Sequence, residues 1–340
     1  MKHVTIKDIA RHLALSVSTV SRALADDKNI RRETKEKVLE AAKRLGYKPN
    51  PVATNLKYGR TNTVGVIVPE MFTPFAAFVI EAIQKVLNPK GLKVIIAQSS
   101  ENPQVERENL LTMERFMVDG IIICLCHHSA NAKECARLQA EGIPIVFYDR
   151  VPDDPEVSKV VINDYTKSFF LVEHLIRSGR KRIAYLQAPD YILNARERFK
   201  AYRHCLEKAQ IPYDEALVIK TGMTIEDGRQ AAEKLLKSQV PFDALFAFTD
   251  TLAIGAMNYL REQSVKIPED VAVAGFSGTV LSTIVYPQLT TVEQPLEKMG
   301  QTAAELILEK INKPEAPNRT VVLDAEMKLR ASTETPLPKV

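Results

Sequence analysis

Apolar residues recur every three to four positions over three short stretches at the start of the chain. Ile6, Ile9, Ala10 and Leu13 share one face of a first predicted helix, and Val20, Ala23 and Leu24 share a face of a second. Over residues 33–45, Val38, Ala41, Ala42 and Leu45 mark a third, which closes a three-helix unit with a small core of its own. Between the first two lies Ala14-Leu15-Ser16, short enough for a turn in which Ser16 caps the second helix. From Thr63 onward the period changes. Near-continuous apolar runs at 64–68, 93–97, 120–124 and 145–148 alternate with helical spacings at 75–87 and 105–117. A second series follows a polar stretch at 149–159, with strands predicted at 182–187, 244–248 and 271–275. Its predicted helices cover 169–177, 196–209 and 253–263. Strands apolar on both faces and alternating with helices predict parallel sheets covered on both sides. Two such series predict two open α/β subdomains.

The second helix leaves Val17, Ser18, Ser21 and Arg22 facing outward, with Thr19 flanking. Small hydroxyl residues let a backbone approach a DNA groove and bind phosphate oxygens, while Arg22 has the fork geometry for a guanine edge. An ordinary helical hairpin with a solvated polar face has the same pattern. Charge favours the nucleic-acid reading. Residues 1–60 hold 14 Lys+Arg against 6 Asp+Glu, a net of +8, while the remaining 280 hold 32 against 36, a net of −4. A basic module on a mildly acidic body places phosphate attraction at one end.

The chain is long enough, at 340 residues with 45% hydrophobic content, for such a module and roughly two further domains of about 100 to 150 residues. No apolar run approaches the about 18 residues that span a membrane, and no signal peptide precedes the helices, so a cytoplasmic protein is expected. Cys124, Cys126, Cys135 and Cys205 fit reduced thiols better than a disulfide framework. Cys124-Leu125-Cys126-His127-His128 offers zinc-ligand types, but the Cys spacing is tighter than usual and no second pair lies nearby. The end of a buried strand entering a loop explains it more simply, and no metal or other cofactor is expected. Neither a glycine-rich nucleotide fingerprint nor a phosphate-loop motif is present.

Thr5, Asp8, Ala10, Ser16, Thr19, Val20, Ser21 and Arg22, then Thr34, Glu36, Lys37, Val38, Tyr47, Pro49, Asn50, Val52, Ala53 and Leu56, carry a gap-free resemblance to the lactose-repressor and galactose-repressor (LacI/GalR) family of bacterial transcription regulators. The resemblance continues through Gly65-Val66-Ile67-Val68, Asp119-Gly120-Ile121-Ile122, Phe248-Thr249-Asp250-Thr251 and Leu289-Thr290-Thr291-Val292-Glu293-Gln294-Pro295, covering almost the whole chain. One departure lies in the turn, where Ala14 stands for the usual Gly; Ala tolerates a left-handed backbone poorly, which predicts slight strain.

The resemblance implies an α/β protein: an N-terminal three-helix helix-turn-helix module with a hinge helix, then a periplasmic-binding-protein-like body of two parallel-sheet α/β subdomains. The expected boundaries are 1–48 for the helix-turn-helix domain and 49–60 for the hinge helix and linker. The N-terminal body subdomain takes 61–161 with 292–322, and the C-terminal one 162–291 with 323–340, so that the chain crosses between them near Val161, Thr291 and Leu323. DNA contacts are expected from Thr5, Ser16, Val17, Ser18, Thr19, Ser21, Arg22, Asn29, Tyr47, Asn50, Ala53 and Leu56. Leu56 is expected to wedge a central minor-groove step, or else to serve as a small dimer contact. Two chains would pair through their bodies to set reader helices in successive major grooves of a pseudopalindromic operator. No leucine heptad follows the last strand, which favours a dimer over a tetramer.

An effector is expected between the subdomains, outside the carboxyl ends of the strands. Matching positions are Phe72, Thr73 and Phe75 after the first strand, Cys124 at the end of a later one, Asn194 and Arg198 on the opposite rim, and Thr249, Asp250 and Ser277. Arg198 would clamp a ligand hydroxyl or carboxylate; a surface helical ion pair is the plainer reading. Phe276-Ser277-Gly278 stands where the family has an aromatic residue and two acids, which removes a carboxylate for sugar hydroxyls and favours an anionic ligand such as a phosphorylated or acid sugar. Control by a protein corepressor stays open, as does a sugar-binding protein with no DNA role. Catalysis is not expected, since no nucleophile and base stand in a recognisable motif.

Overall fold

A computed structural model of the chain describes residues 4–47 and 60–334. The chain divides into two compact units between residues 61 and 62. In the first, α1 (Ile6–Leu13), α2 (Val17–Leu24) and α3 (Arg32–Leu45) enclose Ile9, Ala10, Val20, Ala23, Val38, Ala41 and Ala42, with Leu13, Leu24, Leu45 and Tyr47 packed around them. Thr5 precedes α1, and both its backbone N–H and its hydroxyl donate to the Asp8 carboxylate, at 2.9 and 2.7 Å. Ala14 closes α1 in the left-handed region, φ 52° and ψ 37°, and lets Leu15 N–H reach back to the Ala10 carbonyl. That is the strained geometry expected of an alanine there, at a cost of about 1 to 2 kcal/mol. Ser16 Oγ then accepts from Thr19 N–H at 3.0 Å and opens α2.

The second unit contains two six-stranded sheets. The first runs β11-β5-β4-β3-β1-β2 and is parallel throughout; its strands are β1 (Thr63–Val68), β2 (Lys93–Gln98), β3 (Gly120–Ile123), β4 (Ile145–Tyr148), β5 (Ser158–Ile162) and β11 (Thr320–Leu323). The second runs β12-β10-β9-β8-β6-β7, with β6 (Ile183–Gln187), β7 (Val218–Lys220), β8 (Ala244–Ala247), β9 (Ala272–Ser277), β10 (Thr290–Glu293) and β12 (Glu326–Lys328). It is parallel except at its edge, where β12 lies antiparallel to β10. Helices cover both faces: α4 (Pro74–Leu87), α5 (Pro103–Arg115), α6 (Ala132–Ala140) and α12 (Leu296–Asn312) on the first sheet, and α7 (Asp164–Arg177), α8 (Leu193–Lys208), α9 (Ile225–Lys237), α10 (Asp250–Glu262) and the short α11 (Leu281–Ile284) on the second.

The sheets place the three passages between subdomains. The first falls after Ile162. The second follows Glu293, two residues beyond the sequence expectation, because β10 keeps Val292 and Glu293 hydrogen-bonded to β9. The third falls between Leu323 and Glu326. One apolar cluster runs from Val64 and Val66 in the first subdomain through Val292 and Leu296 to Tyr185 and Phe246 in the second, so the subdomains share a core as well as a cleft. Helix α9 meets α10 backbone to backbone. A Cβ on Gly255 would lie 1.9 Å from the Ile225 carbonyl oxygen, and one on Gly228 2.2 Å from that of Leu252, so only glycine permits this contact.

Candidate functional site

In the first unit, the expected reading residues lie on one solvent-facing surface of α2. Val17, Ser18 and Arg22 are exposed, and Thr19 and Ser21 are half-buried. Ser16 Oγ lies 2.8 Å from Ser18 Oγ and 2.7 Å from Thr19 Oγ1, a hydroxyl cluster at a helix N-terminus, where unpaired backbone N–H groups already suit phosphate. Arg22 donates from Nε to the Ser18 carbonyl at 3.4 Å and, among the described residues, pairs with no carboxylate, so its guanidinium is available to a partner. Asn29 is exposed but held, its backbone and side-chain N–H groups both donating to Asp27 Oδ1 at 2.8 and 3.0 Å. Tyr47 packs against the three-helix core. Asn50, Ala53 and Leu56 lie outside the described residues.

The second unit holds a cavity of about 300 Å³ between its subdomains, and all nine residues expected to touch an effector line it. Apart from Arg198, in the second turn of α8, they arrive from loops at strand ends or from the start of a helix, where backbone groups are unpaired and side chains converge. From the first subdomain come Phe72, Thr73 and Phe75. Thr73 precedes α4, and its backbone N–H and that of Phe72 donate to the Glu70 carboxylate at 2.9 and 2.8 Å. Cys124, just past β3, donates from Sγ to Asp149 at 3.7 Å. Burial and the Asp149 charge hold its thiol far above the usual range, so no thiolate forms there.

From the second subdomain come Asn194, Arg198, Thr249, Asp250 and Ser277. Arg198 is 2% exposed, which sets aside the surface-pair reading. Its Nε and Nη2 donate to Asp164 Oδ1 at 2.8 and 2.7 Å and its Nη1 to the Phe248 carbonyl at 2.6 Å, while the Phe276 and Phe248 rings lie 3.5 and 4.4 Å from its centre. Burial pushes Asp164 up to about 6 despite that partner. Thr249 Oγ1 caps α10 by accepting from Leu252 N–H at 3.3 Å.

Asp250 is occupied by its own fold. Its carboxylate accepts from Gly278 N–H at 2.8 Å, Thr279 N–H at 3.2 Å and Thr291 Oγ1 at 2.6 Å, and burial raises it to about 6. Gly278 makes this possible. At φ 69° its Cβ would lie 2.2 Å from Glu293 Cα, so no acid fits this position as the loop now runs. The missing acids at 277–278 therefore accompany a loop turned inward onto Asp250.

The structure adds residues that sequence reasoning passed over. Asp149 follows β4 in the left-handed region, φ 54°, a conformation a non-glycine residue keeps only where its surroundings enforce it. Its carboxylate accepts from Cys124 and, at 3.4 Å, from Asn194 Nδ2. Burial raises its pKa, with Arg150 and Arg198 opposing. Arg150 is itself paired, donating from Nη1 to both oxygens of Glu101 at 2.9 Å. Three cavity-lining residues also carry a buried polar atom without a hydrogen-bond partner: Asn194 Oδ1, Thr279 Oγ1 and Gln294 Oε1. Only the strain at Asp149 has a sequence trace, and that trace is faint: an acid immediately after an apolar strand.

Among the described residues no group of His, Cys, Asp and Glu could hold a metal ion, and no helix is long and apolar enough to cross a membrane. Two family descriptions match the chain: "Bacterial regulatory proteins, lacI family" over residues 5–50, and "Periplasmic binding proteins and sugar binding domain of LacI family" over residues 61–331. Catabolite control protein A of Priestia megaterium is 32% identical over 335 residues, covering 98% of this chain and all of that one. A solved complex of the transcriptional regulator CelR with cellobiose is 29% identical with a TM-score of 0.74, covering 97% of this chain and 100% of the other. The lac repressor dimer bound to operator and the anti-inducer ONPF shares the fold at a TM-score of 0.83 and 24% identity, over 98% and 99% of the two chains.

Proposed function

The chain belongs to the lacI family of bacterial regulatory proteins and is a DNA-binding transcriptional regulator, and on that footing we propose that it is a repressor whose body cleft binds an uncharged, hydroxyl-rich sugar. One observation carries the choice of ligand: three residues that line the cavity, Asn194, Thr279 and Gln294, hold two amide oxygens and a threonine hydroxyl that are buried without a hydrogen-bond partner. Amide oxygens need donors, which sugar hydroxyls supply; the anionic group of a phosphorylated or acid sugar would in addition need a cation. Both arginines of the cleft are already paired, Arg198 with Asp164 and Arg150 with Glu101, so neither offers uncompensated charge to an anion. The sequence argument for an anion rested on the acid missing at Ser277; Asp149, with no direct cationic partner among the described residues, supplies a carboxylate from the other side of the cleft.

Arg198 retains two of its five N–H groups for a ligand oxygen. CelR, solved with cellobiose, shows that a relative takes a neutral sugar. The chains pair as dimers through their bodies, where Phe78, Phe116, Ile284 and Tyr286 leave large apolar surfaces exposed. Arg22, Ser18 and Thr19 then read and grip operator DNA, and subdomain closure on the sugar changes operator affinity by altering how the two readers are spaced. Calorimetry with a panel of neutral mono- and disaccharides and their phosphorylated forms tests the ligand class. A neutral sugar is expected to bind and its phosphorylated form to bind more weakly; the reverse order overturns the proposal.

A further inference from the structure

One rim of the cleft is bridged by contacts that involve none of the proposed ligand-binding groups. The loop after β3 carries His127 and His128 and belongs to the first subdomain; residues 191–196 lead into α8 of the second. His127 stacks on Tyr191, ring centres 5.1 Å apart and planes within 8°. His128 N–H donates to the Tyr191 carbonyl at 3.1 Å, and Arg196 Nη2 lies 2.9 Å from His128 Nε2. Leu193, beside them, packs into the apolar core of the first subdomain. The loop itself is fixed from below: buried Glu106 accepts from Cys126 N–H at 2.7 Å and from Asn131 Nδ2 at 2.8 Å.

We propose that these two segments form a latch that holds the subdomains together on this rim independently of the ligand, with His127, His128, Tyr191 and Arg196 as positioning residues. The latch sets the fraction of molecules already in the binding-competent arrangement. A ligand's apparent affinity scales with that fraction, so the latch tunes response through the closed population, although Tyr191 also lines the cavity. Its importance for regulation rests on the reading that cleft closure controls operator affinity.

The chemistry of the latch also makes it sensitive to acid. Arg196 can only donate, so His128 Nε2 accepts, and the imidazole is the neutral tautomer with its proton on Nδ1. A second proton would set N–H against N–H. The charged and titratable groups facing His128 are Arg196 on α8, His127 on its own loop and Asp153 after β4. Burial, then Arg196, then His127 hold its pKa below the ordinary 6.5, with Asp153 opposing. A base whose pKa is lowered in the latched form favours that form above its free value, and the preference is lost as pH falls below 6.5.

All four cysteines are buried, so spin labels at Lys133→Cys on α6 and Lys200→Cys on α8 report the distance between subdomains in ligand-free, full-length protein diluted with unlabelled chains. At about pH 8 the labels are expected at a short distance that shifts to a longer one at about pH 5.5. Arg196→Ala should give the longer distance at both values. His128→Gln keeps a neutral acceptor for Arg196 with no proton to gain, and should stay short at both. If Arg196→Ala and wild type superimpose at the higher pH, the latch carries no closing free energy and the proposal fails. An acid shift that persists in His128→Gln removes His128 as its origin. No ligand takes part, so failure here leaves the sugar reading standing, and a failed sugar titration leaves the latch standing.

Discussion

Arg22 and Arg198 are the guanidiniums proposed to serve the two halves of the function, and their settings are opposite. Arg22 is exposed at the end of a two-turn helix, with one long hydrogen bond to its own backbone. Arg198 is sealed between two phenylalanine rings and spends three N–H groups on Asp164 and a main-chain carbonyl. The reading surface keeps its chemistry apart from its stability; the cleft uses the same groups for both. Substitutions in the reading surface should therefore act on DNA alone, while those in the cleft should damage the body before any ligand is added.

The strongest test is Arg198→Ala. It strands the Asp164 carboxylate in an apolar setting and should cost about 3 to 5 kcal/mol of body stability, measured by denaturant unfolding without ligand. A variant as stable as wild type would mean that Arg198 serves the ligand only. Next in size is Arg22→Ala, expected to weaken operator binding by about 1 to 3 kcal/mol while leaving a scrambled duplex and the unfolding curve nearly unchanged. Equal losses on both duplexes would make it a phosphate contact and bring the two arginines' roles closer together. The smallest effect is a gain: Ala14→Gly relieves a left-handed alanine and should stabilise the reader unit by about 1 kcal/mol, read as a higher unfolding temperature of that unit. No change would show that the turn carries its strain elsewhere.

The two regions also differ in how far the chain announces them. The reader was readable because its signals are local: the apolar spacing, the Ser16 cap and the strained Ala14 all lie within residues 6–24. The cleft collects residues from strand ends scattered over more than two hundred positions, and only the family resemblance brought nine of them together. Its pairs show no period at all. Glu101 and Arg150 are 49 residues apart, and Asp164 and Arg198 are 34. Helix α9 has a weak apolar signature because the face it buries is Gly228, Ala231, Ala232 and Leu235, of which only Leu235 is large and strongly apolar. Strand β5 was hidden by its alternation, Ser158 and Lys159 continuing the polar stretch before it. Helix α7 begins five residues earlier than its apolar spacing suggests, because Asn163 caps a polar first turn by accepting from Thr166 N–H at 2.9 Å.

The order in which the strands are made has a consequence for biosynthesis. β11 is the outer strand of the first sheet and β12 that of the second, and only residues 324 and 325 separate them. Neither subdomain can complete its sheet until the ribosome has passed residue 320, whereas the three-helix reader, contiguous over residues 6–45, is made before any strand of the body. Nascent chains thus carry the DNA-reading module long before they have a complete body, and any chain cut short ahead of β11 would leave each sheet one strand short, with β5 and β10 exposed as unpaired edges.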